Sequence, residues 1–166
     1  MTEQVDLNKR HLFGRPQVQF EPKPAAPRPP YAIAEAMFQR ECDGCGKCVA
    51  VCEPNIISIK DGLASIEVDY SSCIVCGACQ SACPSLALSN ANLQTGLIAT
   101  VSNSCENIYS YCASCEDSCS YDALAWHEDK APQIDQESCI GCGQCLDSCY
   151  TSVISLKFQP SLREVN

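Results

Sequence analysis

The sequence is short of the material from which an ordinary core is built. It has one Trp and four Phe in 166 residues, and apolar residues other than cysteine make up only roughly 36% of it. A core this lean needs staples, either disulfides or metal. No apolar run reaches the ~20 residues of a membrane span. The first thirty residues carry charges but no apolar h-region, so no Sec-type signal is visible. The basic run Asn8-Lys9-Arg10-His11-Leu12-Phe13-Gly14-Arg15 has neither a twin-arginine pair nor an apolar stretch behind it. These absences point to the cytoplasm, where thiols are kept reduced.

Positive charge is also scarce beyond the first quarter. Residues 1–40 hold six Lys/Arg and four Asp/Glu, whereas residues 41–166 hold five and sixteen, for a total of −9. An acidic body argues against nucleic acid, whose affinity rests on neutralised phosphates, and suits a partner with a basic or neutral face. Gly44-Cys45-Gly46 sits in a cysteine loop without the long helix of a dinucleotide fingerprint. No Ser/His/Asp or paired-carboxylate constellation stands out, so no catalytic residue and no small-molecule substrate are expected, and the chain is not read as an enzyme.

What the sequence has in excess is cysteine, sixteen in all. They fall into four groups: Cys42, Cys45, Cys48 and Cys52; Cys73, Cys76, Cys79 and Cys83; Cys105, Cys112, Cys115 and Cys119; Cys139, Cys142, Cys145 and Cys149. Three follow C-x2-C-x2-C-x3-C, and the third has six residues between Cys105 and Cys112. The repeat extends further. Apolar pairs (Ile56-Ile57, Ala87-Leu88, Ala123-Leu124, Val153-Ile154) follow each group at the same distance. Gly46, Gly77 and Gly143 follow the second cysteine, with Ala113 in the third group; a small residue there lets backbone approach whatever the cysteines hold.

Asp61-Gly62 between apolar alternations predicts a hairpin between groups one and two. Ala123–Ile134, with Lys130, Ala131 and Pro132 near its turn, predicts a second. Short strands are expected to open each half (Met37-Phe38; Leu97–Val101) and to close it (Leu86–Leu88; Val153–Leu156). The fold class is therefore α+β: two tandem modules, at 35–92 and 93–160. They follow a basic Pro-rich arm (1–34) carrying Pro16, Pro22, Pro24, Pro27, Pro29 and Pro30, and precede a tail (161–166). The join lies in Ser89–Gly96.

Eight disulfides would need an oxidising compartment and give no reason for the repeated two-residue spacing. Structural zinc wants two C-x2-C hooks, not three crowded into one loop. Four [4Fe–4S] clusters account for the pattern. In two-cluster ferredoxins the loop C-x2-C-x2-C takes three corners of one cube, and the fourth cysteine reaches the neighbouring one. Sequential pairing gives cluster one Cys42, Cys45, Cys48 and Cys83, and cluster two Cys73, Cys76, Cys79 and Cys52. Cluster three takes Cys105, Cys112, Cys115 and Cys149, and cluster four Cys139, Cys142, Cys145 and Cys119. A nested plan, pairing group one with four and two with three, stays open, because the gaps between groups are nearly equal. Each oxidised cluster with its thiolates carries about −2, taking the chain from −9 to about −17, charge that backbone N–H groups on the cysteine loops must meet.

These motifs resemble the bacterial polyferredoxins, which implies two tandem dicluster ferredoxin-like modules, 35–92 and 93–160, with two clusters each. More narrowly, the chain is similar to the NapF-type ferredoxin-like accessory proteins of periplasmic nitrate reductase systems. The narrow likeness rests on Asn8–Arg15, on Arg28-Pro29-Pro30-Tyr31, on the inserted Glu106-Asn107-Ile108-Tyr109-Ser110-Tyr111 and on the short tail. It implies a cytoplasmic protein that binds the catalytic molybdenum subunit before export and aids its iron–sulfur loading. The alternative is a soluble electron carrier or the electron-transfer subunit of a redox complex. Only Cys83-Pro84 keeps the proline that often follows the fourth cysteine in ferredoxins; Glu53, Ser120 and Tyr150 replace it elsewhere. Tyr109 and Tyr111 are read as cover for cluster three, a partner contact or ordinary loop packing; Trp126 as core; His11 and His127 as surface; Lys9, Arg10 and Arg15 as contacts for an acidic partner or a solvated tail.

Overall fold

The computed structural model describes residues 25–164, so Asn8–Arg15 and most of the arm lie outside the described residues. Asp61 and Gly62 both take positive φ (51° and 75°), the two-residue I′ geometry that matches strand twist. They join β1 (Ile57–Lys60) to β2 (Leu63–Ile66), with Lys60 opposite Leu63 and Ile57 opposite Ile66. All four residues of β2 are buried. One reason is that Pro27 covers it, accepting from Ile66 N (3.2 Å) and Ser65 Oγ (3.0 Å).

The second half is framed by β3 (Leu97–Val101) and β6 (Ile154–Phe158), antiparallel with Leu97 opposite Phe158 and Val101 opposite Ile154. Between them β4 (Leu124–Ala125) and β5 (Gln133–Ile134) form the second, shorter hairpin.

The first half is closed differently, and two expected strands are corrected. Met37-Phe38 lies in a helix, α1 (Glu35–Glu41), and Leu86–Leu88 forms a 3-10 turn. EAMFQRE is rich in strong helix formers, and two adjacent apolar residues do not specify a period. After Pro84, the Ser85 hydroxyl accepts from Ala87 N and caps the turn. The chain ahead of α1 contains Pro27, Pro29 and Pro30, which have no N–H to give a ladder. It is held by single bonds instead: Arg28 N to Thr95 O (2.9 Å), Tyr31 N to Asn92 O (3.2 Å) and Ile33 N to Ala87 O (3.1 Å).

Arg28, 2% exposed, turns its guanidinium inward. It donates to both Glu35 carboxylate oxygens and to Ala64 O, and stacks on Phe38 at 4.9 Å. Arg163 reaches the same place from α5 (Ser161–Glu164), bonding Ala32 O, Ile33 O (2.6 Å) and Gln94 O, with its Nε 3.9 Å from Glu35. Burial pulls the Arg163 guanidinium below its usual range, while the Glu35 carboxylate works the other way. Glu35 thus binds both ends of the described chain to the first core, which contains Phe38, Ile57, Ile66 and Leu88. The second core is built on Ile98, Leu124 and Ile154. Leu97 and Cys142 are buried in the first core, and Leu156 packs against both.

Candidate metal centres

Each cysteine group bends around a cavity because of its backbone. Gly46, Gly77 and Gly143 sit at φ 75°, 75° and 87°, a left-handed conformation that costs other residues ~1–2 kcal/mol. Each starts one helical turn: α2 (Lys47–Ala50), α3 (Ala78–Ala82) and α4 (Gln144–Ser148). The turn presents the third cysteine, and the fourth follows just beyond its end. Ala113 does not take this conformation, and only turns follow it.

Four separate cavities result. The first is lined by Cys42, Cys45, Cys48 and Cys83, with Phe38 and Leu88 behind them. Cys52 joins Cys73, Cys76 and Cys79 around the second, against Ile56 and Ile57. The third brings together Cys105, Cys112, Cys115 and Cys149. The fourth brings together Cys119, Cys139, Cys142 and Cys145. Cysteines of groups one and four line separate cavities, as do those of groups two and three.

The stretched third group has an anchor that sequence reasoning missed. Asn107, 1% exposed, donates from Nδ2 to His127 O (2.7 Å) and Lys130 O (2.8 Å), and its Oδ1 accepts from Cys112 N. The insertion is thereby pinned to the turn of the second hairpin, and Cys105 reaches the cavity from four residues further back than its counterparts. An Asn inside a cysteine spacing carries no such signal, since its partners are distant in sequence. Tyr109 and Tyr111 stand exposed, Tyr111 edge-on to Trp126 at 6.0 Å. Trp126 is half-buried rather than fully in the core; it packs against the second core and donates to Cys112 O. His127 is exposed. Tyr150, beside Cys149, donates to Glu106, and this bond pushes the Tyr150 phenol up.

Backbone N–H groups do point at cysteine sulfur: Ala64 N at Cys42 (3.5 Å), Val75 N at Cys73 (3.4 Å) and Ala123 N at Cys119 (3.3 Å). The Ser85 and Thr151 hydroxyls lie beside Cys83 and Cys149. Such donors orient thiolates and set the potential of what they hold. Burial pushes the thiols of Cys48, Cys73, Cys115 and Cys142 up, Cys79 to about 11 and Cys145 to about 12, with neighbouring cysteines adding to it. Cys149 goes the other way: burial raises it, but Thr151 and the N–H groups of Val153 and Ile154 outweigh that. Thiols held neutral in this way become ligands only when a cation displaces their protons.

The donor set distinguishes the possible guests. All sixteen cysteines are free, so none is spent on a disulfide. Among the described residues no three His, Cys, Asp or Glu side chains close on a point that one metal ion could occupy. The cysteines ring a space, which suits a four-iron cube better than a single zinc. Soft thiolate donors with apolar walls and N–H groups fit such a cube.

This arrangement is that of a two-fold dicluster ferredoxin. The 4Fe-4S dicluster domain matches residues 41–87 and 110–156, and the chain binds four [4Fe–4S] clusters. An uncharacterized protein of Haemophilus influenzae is 33% identical over 150 residues, covering 89% of this chain and 87% of its own. The ferredoxin-type protein NapF of Escherichia coli K12 is 31% identical over 138 residues, 79% of this chain and 84% of its own. The NapF of H. influenzae is 29% identical over 136 residues, 78% and 77%. The chain belongs to the NapF-type ferredoxins, a class of electron-carrier or accessory proteins and not of enzymes. Among the described residues no helix is long and apolar enough to cross a membrane.

Proposed function

We propose that this chain is a cytoplasmic accessory protein that engages the catalytic molybdenum subunit of a periplasmic nitrate reductase before export and aids its iron–sulfur loading. Its clusters are held by Cys42, Cys45, Cys48 and Cys83; Cys73, Cys76, Cys79 and Cys52; Cys105, Cys112, Cys115 and Cys149; and Cys139, Cys142, Cys145 and Cys119, in modules at 35–92 and 93–160. The observation that carries the ligand sets is that each of these four quartets lines a cavity of its own. The partner rests on the NapF likeness across most of the chain.

Bound clusters supply one-electron chemistry. The chain's own residues fix the cysteine loops, exclude water with Phe38, Ile57 and Leu124, and aim N–H groups at sulfur. The exposed Tyr109, Tyr111 and Tyr150, of which Tyr150 lines the third cavity, offer a contact face. Anaerobic co-purification with the catalytic subunit, with and without residues 1–30, tests the reading. Retention of the full chain and reduced iron in a subunit matured without it are expected. A fully loaded subunit in the absence of this chain would refute it.

The electron-carrier reading has one structural observation in its favour, the hydrogen-bonded contact between cysteine loops of different modules. Turnover of a redox partner by the reduced protein would decide for it.

A further inference from the structure

The two modules meet through their metal-binding loops. Cys73 N donates to Cys142 O at 2.7 Å, a short bond between a loop of the second cavity and one of the fourth. Gln144 Nε2 returns toward Cys73 O at 3.4 Å. Gly143, between them, faces the first module so closely that a Cβ there would stand 3.1 Å from the Cβ of Val68 and 3.6 Å from Ser72 Cα. Within the second module, Thr95 N and Oγ1 bond Ile140 O and Gln94 Nε2 bonds Cys139 O, holding the loop that makes this contact. The junction is therefore built from the cysteine loops themselves.

Within each module the two cavities are joined by short covalent segments. Cys48–Cys52 and Cys79–Cys83 each send one cysteine to the first cavity and one to the second. Cys115–Cys119 and Cys145–Cys149 do the same for the third and fourth. The second and fourth cavities thus have neighbours on both sides, and the first and third are ends.

We propose that the Cys73–Cys142 contact joins the modules into one electron path, whose order is first, second, fourth, third cavity rather than the order of the sequence. Each hop moves one electron: the donor cluster is oxidised by one and its neighbour reduced by one, with no bond or proton exchanged. Val68, Gly143 and Gln144 are positioning residues for the central hop. The inference rests on the ligand quartets proposed above.

Spin interaction between reduced clusters tests it on the full chain, loaded anaerobically and reduced with dithionite. Cys45→Ala with Cys112→Ala removes the two end clusters; Cys76→Ala with Cys142→Ala removes the two inner ones. Each pair leaves one cluster per module, about eight iron by the quartets. The expected result is a broadened, mutually interacting paramagnetic signal when only the inner clusters remain, and its loss when only the end clusters remain. Equal signals, or the reverse order, at about eight iron overturn the path. An iron content near about twelve would put both substituted cysteines on one cluster and overturn the quartets instead, and the path with them. Where these variants do not hold iron, Gly143→Leu and Gly46→Leu carry the test at matched left-handed φ. A Cβ at Gly46 meets nothing within 4 Å. Weaker coupling between modules in the Gly143 variant alone supports the junction; the same effect in both variants, or none in either, refutes it.

Discussion

The two halves carry eight cysteines each in the same alternating arrangement, yet they are closed by different means. The second half uses a strand ladder, β3 against β6, five residues on each side. Among the described residues the first has no such ladder. A proline-bearing segment, the helix α1 and two buried arginines around Glu35 do the same work. The cysteine loops demand a fixed geometry, whereas the closure only has to bring the chain back over the cavity. Closure is therefore free to follow local sequence: three prolines remove the donors of a ladder, and Arg28 and Arg163 replace them with side-chain donors to Ala64, Ala32, Ile33 and Gln94.

Iron removal should erase the difference, because both halves are lean and depend on their clusters. Chelation under anaerobic conditions is expected to abolish most far-UV dichroism and amide protection in both halves. A first half that stayed protected would mean that the Glu35 clamp suffices without metal. The next largest effect falls on the first half alone. Glu35→Gln leaves two buried guanidinium groups without an anion and should cost about 3–5 kcal/mol, read as a lower denaturant midpoint. Hydrogen exchange should place the loss at residues 28–41 and 161–164. An equal loss in β3 and β6 would show that the closures are not independent.

Asn107→Ala tests the second half in turn. Its bonds to His127 O, Lys130 O and Cys112 N are lost, at about 1–3 kcal/mol, with looser iron at the third cavity. Unchanged iron retention during slow chelation would show that Cys105 needs no anchor. The smallest effect is Gly62→Ala, at φ 75° in the first hairpin, where about 1 kcal/mol is expected in the same melt.

The parts legible in the sequence are those with local or periodic causes. The four cysteine groups, the Asp61-Gly62 turn and the strands at Leu97–Val101 and around Val153–Leu156 each announce themselves within a few residues. Met37-Phe38 and Leu86–Leu88 were misread because a short apolar run fits helix and strand alike. Arg28, Glu35 and Arg163 gave no sign of their role. Arg163 bonds a carbonyl 130 residues away, and a charged side chain in a proline-rich arm or a tail reads as solvated. Asn107 was hidden for the same reason. The need for a small residue at Gly143 followed from its place in the repeat, but its closeness to Val68 across the junction did not.

The most direct test of the account is elemental. Protein purified without oxygen from iron-replete cells should contain about sixteen iron and sixteen sulfide per chain, with no zinc, and all of it should depend on the sixteen cysteines. About four zinc per chain, with no sulfide, would contradict it.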